Sequence, residues 1–229
     1  MVLAAGRGER LRPLTDTCPK PLLKIGDRPL LVHQLERLTA AGVVRVVINL
    51  GWLGEQIPQT LSPWLQTPSL SNLTVIYSQE PEGALETAGG IRHAIDHFTP
   101  GPLIVVSADA WCNLDYRQLS GHRLQRLGHL IMVTNPGHHP SGDFQLRPDD
   151  QVVLAKRPSA ETLTYAGLGV FSTDLFCDLL PGHRRLRPVL DAAIADQAIT
   201  GCHFKGQWLD LGTAQRLQHA QAQWDGAWA

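Results

Sequence analysis

A glycine-rich loop opens the chain. Leu3-Ala4-Ala5 runs into Gly6-Arg7-Gly8-Glu9-Arg10, and Pro19-Lys20-Pro21 follows shortly after. A strand that stops in such a loop lets backbone N–H groups come close to phosphate oxygens, because no Cβ stands in the way. Arg10 and Lys20 would add charge-assisted hydrogen bonds to a triphosphate, the arginine as a fork and the lysine as a point charge. The spacing is neither that of a Walker A loop nor G-x-G-x-x-G, which excludes those two nucleotide sites. Taken alone, Gly6-Arg7-Gly8 fits a plain structural turn equally well. His138 and His139 are the other residues that invite a chemical reading, as metal ligands. Adjacent side chains diverge and no third ligand follows at useful spacing, so a solvated loop is expected there. His93 and His97 stand four apart on a helical pattern and are expected at the surface.

The elements that must position the loop follow from the hydrophobic pattern. Residues 1–5 predict a short strand. In 30–41, Leu31, Leu35 and Leu38 recur at i, i+4, i+7, an amphipathic helix stopped by Gly42. A buried strand at 45–49, a short helix at 54–61, a strand at 73–77 and a helix at 87–98, capped by Thr87, come next. Residues 103–106 are four apolar residues in a row, as in a parallel strand covered on both faces. Strand, helix, strand at this spacing means βαβ units with right-handed crossovers. In the second half, strands are expected at 129–134, 143–146, 152–154 and 163–171, and helices at 186–195 and 213–224. The Pro-, Gly- and His-rich stretch 135–142 is the longest turn-like segment. The fold class is therefore α/β, a Rossmann-like, mostly parallel sheet flanked by helices in one domain.

Composition narrows the partners. The 229 residues carry 20 Lys+Arg and 21 Asp+Glu, a formal charge of -1, which offers no basic excess for nucleic acid or an anionic membrane. The apolar runs fall far short of the ~20 residues of a membrane span. Arg7, Arg10 and Arg12 follow the short apolar start, the reverse of a signal peptide, so a cytoplasmic location is expected. Cys18, Cys112, Cys177 and Cys202 form no CxxC pair, which argues against zinc and suits a reducing compartment.

The run Leu3-Ala4-Ala5-Gly6-Arg7-Gly8-Glu9-Arg10-Leu11-Arg12-Pro13-Leu14-Thr15 with Pro19-Lys20-Pro21 resembles the signature of the sugar-1-phosphate nucleotidyltransferases. These enzymes join a sugar 1-phosphate to a nucleoside triphosphate and release pyrophosphate. Ser107-Ala108-Asp109 is similar to the family's strand-end aspartate motif, and Trp208-Leu209-Asp210-Leu211-Gly212-Thr213 to its W-x-D-x-G-T. Ile48-Asn49-Leu50-Gly51-Trp52-Leu53-Gly54, Leu85-Glu86-Thr87-Ala88-Gly89-Gly90-Ile91 and Asn135-Pro136-Gly137-His138-His139 with Gly142-Asp143-Phe144 resemble one short subgroup. That subgroup is the N-acetylmuramate α-1-phosphate uridylyltransferases of peptidoglycan recycling. The likeness spans essentially the whole chain.

The resemblance implies a nucleotidyltransferase (GT-A-like) fold over 1–229, with 1–111 mainly nucleotide-binding and 112–229 mainly sugar-binding. It implies Arg10, Lys20 and Asp109 as catalytic residues. Leu3, Ala4, Gly6, Gly8, Glu9, Arg10, Lys20, Glu80 and Gly83 would bind the nucleotide. Ala108, Asp143, Lys156, Tyr165 and Gly167 would bind the sugar. Asp109 and Asp210 would hold Mg²⁺, the one cofactor implied, since two carboxylates from distant positions can share a cation that keeps water and phosphate in its shell. The substrates would be UTP and N-acetylmuramate 1-phosphate, with the protein a monomer or small homo-oligomer. Two departures stand out: Ala155-Lys156-Arg157-Pro158 lacks the family's glutamate before the lysine, and Ala108 replaces a glycine. Another sugar-1-phosphate nucleotidyltransferase specificity (mannose-1-phosphate guanylyl or glucose-1-phosphate uridylyl or thymidylyl transfer), or a non-catalytic nucleotide-sugar-binding regulator, would fit the same motifs less well.

Overall fold

The computed structural model describes residues 1–81, 85–155 and 161–224. In chain order the strands are β1 Val2–Leu3, β2 Lys24–Ile25, β3 Arg28–Pro29, β4 Arg45–Leu50, β5 Thr74–Gln79, β6 Pro102–Ser107, β7 Ala110–Cys112, β8 Gly128–Val133, β9 Phe144–Leu146, β10 Val152–Leu154, β11 Thr162–Ser172, β12 Ile199–His203 and β13 Trp208–Asp210. The helices are α1 Leu30–Ala40, α2 Gln56–Trp64, α3 Glu86–His93, α4 Arg117–Ser120, α5 Asp174–Cys177, α6 Leu186–Ala195 and α7 Ala214–Ala222. Among the described residues no helix is long and apolar enough to cross a membrane.

The β6-β1-β4-β5 half of the main sheet is parallel, as the alternation of strands and helices requires. Val2 pairs with Ile48 on one side and Val106 on the other, and Arg45 to Leu50 run in register with Thr74 to Gln79. The long β11 then joins antiparallel, Leu168 opposite Val106 and Ser172 opposite Pro102. On its far side β8 is antiparallel to β11 and parallel to β12. The β9–β10 hairpin pairs with the start of β11. Beside the main sheet, β13 pairs antiparallel with β7, placing Asp210 opposite Ala110.

Successive side chains of a strand point to opposite faces, and both faces of this sheet are covered. Val46, Ile48 and Val106 pack under α1 and α2 with Leu31, Leu35, Ile57 and Leu61. Val47, Val105 and Leu130 face α3 and α6 through Ala88, Ile91, Leu190 and Ile194. Each such Val, Leu or Ile side chain contributes about 1.5–3 kcal/mol by leaving water. A third, smaller cluster of Leu11, Ile25, Leu30, Trp111, Leu211 and Leu217 lies beneath the glycine loop and β7–β13. It fastens α7 and the β2–β3 hairpin to the functional end of the sheet.

Several boundaries differ from the sequence expectation for identifiable reasons. The first strand ends at Leu3 because the Ala4 N–H donates to Asn49 Oδ1 at 2.8 Å instead of to a neighbouring strand. The helix expected at 87–98 stops at His93 and continues only as a 3-10 turn, Ile95–His97. Thr87 is not its cap: the Leu85 carbonyl accepts from Arg184 N, and the Arg184 carbonyl accepts from Gly89 N, so the 182–184 segment satisfies this helix end. Glu86 adopts φ +59° there. Thr213 caps α7 instead, its hydroxyl accepting from the Arg216 N–H at 3.3 Å.

Candidate active site

The glycine loop, the ends of β4, β5 and β6, and the start of α3 enclose a cavity of about 710 Å³. This is the carboxyl end of the parallel strands, where open α/β sheets bind ligands. Leu3, Ala4, Gly6, Gly8, Glu9, Arg10, Lys20 and Glu80 line it, so every described residue expected to bind nucleotide converges here. Gly83 lies outside the described residues. Ala108, expected on the sugar side, lines this cavity too, between Ser107 and Asp109. It lies just after β6 and is also buried in the core beneath the site.

A second cavity of about 290 Å³ opens beside the first and shares Arg10, Ser107 and Asp109 with it. Tyr165, Gly167 and Asp210 line it, together with His138, His139, Thr164, Ala166 and Trp208. Lys156 lies outside the described residues. Asp143 lines neither cavity. Its Oδ2 accepts from the Tyr165 N–H at 2.8 Å, and Oδ1 lies 3.2 Å from His139 Nε2, so this carboxylate straps the 135–142 loop to β11.

The loop is therefore not merely solvated. The two histidines do diverge, but each toward its own carboxylate: His138 Nε2 is 3.3 Å from Asp210 Oδ2, and His139 meets Asp143. Arg216, from the first turn of α7, reaches the same Asp210 oxygen at 3.1 Å. Gly212 lies under these side chains: a Cβ there would stand 2.6 Å from Asp210 Oδ1, 2.8 Å from Arg10 Nη2 and 2.9 Å from Arg216 Nη2, so a larger residue would push these charged ends aside.

Asp109 and Asp210 reach one place through the β7–β13 pairing and the hydrogen bond from Leu211 N to the Asp109 carbonyl (3.1 Å). Lys20 donates to Asp109 Oδ2, and Ser107 Oγ donates to Oδ1 at 2.6 Å. Burial pushes the Asp109 carboxyl up, but the Lys20 charge and the hydrogen bonds from Lys20, Ser107 and its own backbone outweigh it and hold the group below the usual carboxylate range. It is thus a carboxylate at neutral pH. Two carboxylates with hard oxygen donors could hold Mg²⁺, whose remaining positions water and phosphate oxygens fill. Arg10 forms no ion pair among the described residues and stands exposed at the rim of both cavities. It keeps five donors for an incoming anion.

Glu80 is buried, and both its oxygens are committed: Oε1 accepts from Asn49 Nδ2 at 2.7 Å and Oε2 from Leu85 N at 3.3 Å. With the Ala4–Asn49 bond this makes a chain of hydrogen bonds from β1 through β4 and β5 to α3. Glu80 thus shapes the wall of the larger cavity through its hydrogen bonds to Asn49 and the start of α3. Asn49, Thr87, Arg216 and the Asp210-facing role of His138 are the residues that sequence reasoning missed. A signal existed only for Asn49: an amide inside the apolar run of β4 must have a partner, because buried polar groups are hydrogen-bonded.

The loop conformation depends on Gly8. It adopts φ +67°, and a Cβ would lie 3.0 Å from Thr15 Cγ2 and 3.3 Å from Lys20 Cβ. Gly8→Ala is therefore expected to destabilise the protein by about 1–2 kcal/mol, the cost of a left-handed residue with a side chain. It should also raise KM for the nucleotide. Urea melts and steady-state kinetics check both effects.

The sequence model of the nucleotidyl transferase family matches residues 1–225. The chain is 41% identical to the N-acetylmuramate alpha-1-phosphate uridylyltransferase of Neisseria meningitidis serogroup B, over 100% of this chain and 98% of that one. It is 30% identical to the protein of the same name from Caulobacter vibrioides, over 97% and 95% of the two chains. Among solved structures, a Bacillus anthracis protein described as a glucose-1-phosphate thymidylyltransferase superposes with a TM-score of 0.81 at 19% identity, covering 96% of this chain and 92% of that one. That likeness shows the shared fold, and the sequence matches show the lineage. The chain belongs to the nucleotidyl transferase family.

Proposed function

We propose that this protein joins UTP to N-acetylmuramate α-1-phosphate, forming UDP-N-acetylmuramate and pyrophosphate. The observation that carries this reading is the meeting of two cavities at Arg10, Ser107 and Asp109. The larger is sized for a nucleotide and the smaller for a sugar, so the two phosphates come together where the charged residues converge. The names of the two relatives above support the choice of uridylyl group and sugar.

A phosphate oxygen of the sugar 1-phosphate attacks the α-phosphorus of UTP. A new P–O bond forms as the bond to the β-phosphate's bridging oxygen breaks, and the electron pair leaves with pyrophosphate. The nucleophile is already anionic, so the protein has charge to neutralise and atoms to align. The glycine-loop N–H groups and Arg10 bind the triphosphate, and Lys20 adds a cation beside Asp109. Asp109 and Asp210 would hold Mg²⁺, which when bound offsets phosphate charge and orients the α-phosphate. Tyr165 and Gly167 line the sugar side. The protein acts in the cytoplasm, where nucleoside triphosphates and sugar phosphates are found.

N-acetylmuramate differs from N-acetylglucosamine by a lactyl ether at O3, which brings a carboxylate. Among the residues that line the small cavity, Arg10 offers donors to such a group, and His138 and His139 stand beside it, each against a carboxylate. The test is pyrophosphate release with five nucleoside triphosphates against a panel of sugar 1-phosphates. UTP with N-acetylmuramate 1-phosphate should show the highest kcat/KM. Equal or better use of N-acetylglucosamine or glucose 1-phosphate would overturn the sugar assignment, and preference for another nucleotide the uridylyl assignment.

A further inference from the structure

Arg7 stands between the two glycines of the loop and lines the larger cavity, where a guanidinium invites a phosphate contact, yet two of its five donors are already committed within the protein. Nη1 donates to the Thr15 carbonyl at 2.7 Å and Nη2 to Asp16 Oδ1 at 2.8 Å. The guanidinium carbon lies 3.7 Å from the ring centroid of Trp52. Trp52, which follows β4, sends its Nε1–H to the same Thr15 carbonyl at 2.9 Å and its backbone N–H to the Ala5 carbonyl at 3.2 Å. Gly51 lies directly against Ala5, since a Cβ there would meet the Ala5 carbonyl oxygen at 2.5 Å. One aromatic residue thus touches the loop on both sides of its glycines, through Ala5 before them and Thr15 after them, and its ring covers the arginine between.

We propose that Arg7 and Trp52 form a clasp that holds the glycine loop in its phosphate-cradling shape before nucleotide arrives, with Arg7 a positioning residue and not a phosphate ligand. The inference rests on the reading of this loop as the triphosphate site. The physical reason is conformational entropy. A loop with two glycines has an unusually large set of unbound shapes, and a nucleotide that had to order it would bind more weakly. A cation stacked on an aromatic face and bonded to a carbonyl and a carboxylate removes that freedom in advance.

The test is a double-mutant cycle of Arg7→Ala and Trp52→Ala, with kcat and KM for UTP and for the sugar 1-phosphate, and Tm for each variant. Each single variant should raise KM for UTP about tenfold with the sugar KM unmoved, and the double variant should be no worse than either single. Trp52→Phe, which keeps the stack but loses the Nε1 donor, should fall between wild type and Trp52→Ala. If Arg7→Ala raises KM for UTP while Trp52→Ala leaves it alone, or if the two effects simply add, Arg7 binds phosphate directly and the clasp is wrong. If Trp52→Ala melts below the assay temperature, Trp52→Phe decides: a wild-type UTP KM in it overturns the proposal. Calorimetric titration of UTP into wild type and variants separates the two readings. UTP binding that is weakened in the variants supports the clasp even if no sugar phosphate in the panel turns over, whereas a wild type that fails to bind UTP removes the functional reading itself.

Discussion

Asp109→Ala and Asp210→Ala are each expected to lower kcat about 10²–10³-fold, the usual effect of removing a principal electrostatic contact from a charged transition state. The two carboxylates come from different parts of the chain and meet only because β13 pairs with β7. Neither is replaceable by its neighbours: Ser107 and Lys20 donate hydrogen bonds to Asp109, so no nearby acceptor takes over when it is lost. In Asp210→Ala, Arg216 and His138 lose their shared acceptor, and two basic groups then crowd a site that must still receive phosphate. Asp109→Asn and Asp210→Asn keep the shape and remove the charge, so they should be almost as impaired as the alanine variants. Pyrophosphate release with saturating substrates, with and without EDTA, measures all four. Near-wild-type turnover in either alanine variant, or full activity in excess chelator, would remove Mg²⁺ and the aspartates from the mechanism.

Lys20→Met is expected to lower kcat about 10²-fold, by removing a cation from the phosphate end of the cavity, and to change the pH dependence of both activity and stability. Its side chain is 15% exposed and that of Asp109 24%. Breaking a fully buried pair costs about 3–5 kcal/mol, so about 2 kcal/mol is expected for this partly hydrated one at pH 7. In wild type the folded Asp109 carboxyl lies below its ordinary range. The pair therefore adds its stability above about pH 3.9, the unfolded value, and loses it as pH falls through the lower folded one. In the variant, burial acts without the opposing charge, and the folded carboxyl rises. The acid limb of the kcat profile should accordingly move to higher pH. The stability gap should close in two stages on acidification, first as the variant's raised carboxyl protonates and then, below about pH 3.9, as wild type loses its own advantage. Urea melts between pH 3 and 8 with matching pH–rate profiles provide the check. An unmoved acid limb would mean that Lys20 does not govern the charge of Asp109.

Features that rest on local spacing were legible in the sequence. The Leu31, Leu35, Leu38 stripe specifies a helix with one buried face, and the apolar run at the centre of β6 specifies a strand covered on both sides, because side-chain periodicity is set by backbone geometry alone. The glycine loop after the first strand and the strand-end position of Asp109 were legible for the same reason, and the structure brings both to one cavity with Arg10 and Lys20. Local spacing misled where a distant backbone took over a local task. Thr87 looked like a helix cap, but the 182–184 segment already satisfies that helix end, which leaves Thr87 facing the cavity. Asp143, named for the sugar side by resemblance, accepts from the Tyr165 N–H, a contact that only the packed strands reveal.

Which aspartates share a site, which oxygen of Asp210 meets Arg216 and His138, and how Asn49 links Ala4 to Glu80 were decided by tertiary structure. No periodicity encodes them, because each arises from strand pairings and helix packing between segments far apart in the chain. The sequence alone thus determined the elements and the chemical types placed at their ends. The tertiary structure decided which of those ends touch, because that choice is made by the burial of whole faces and not by the residues of the site.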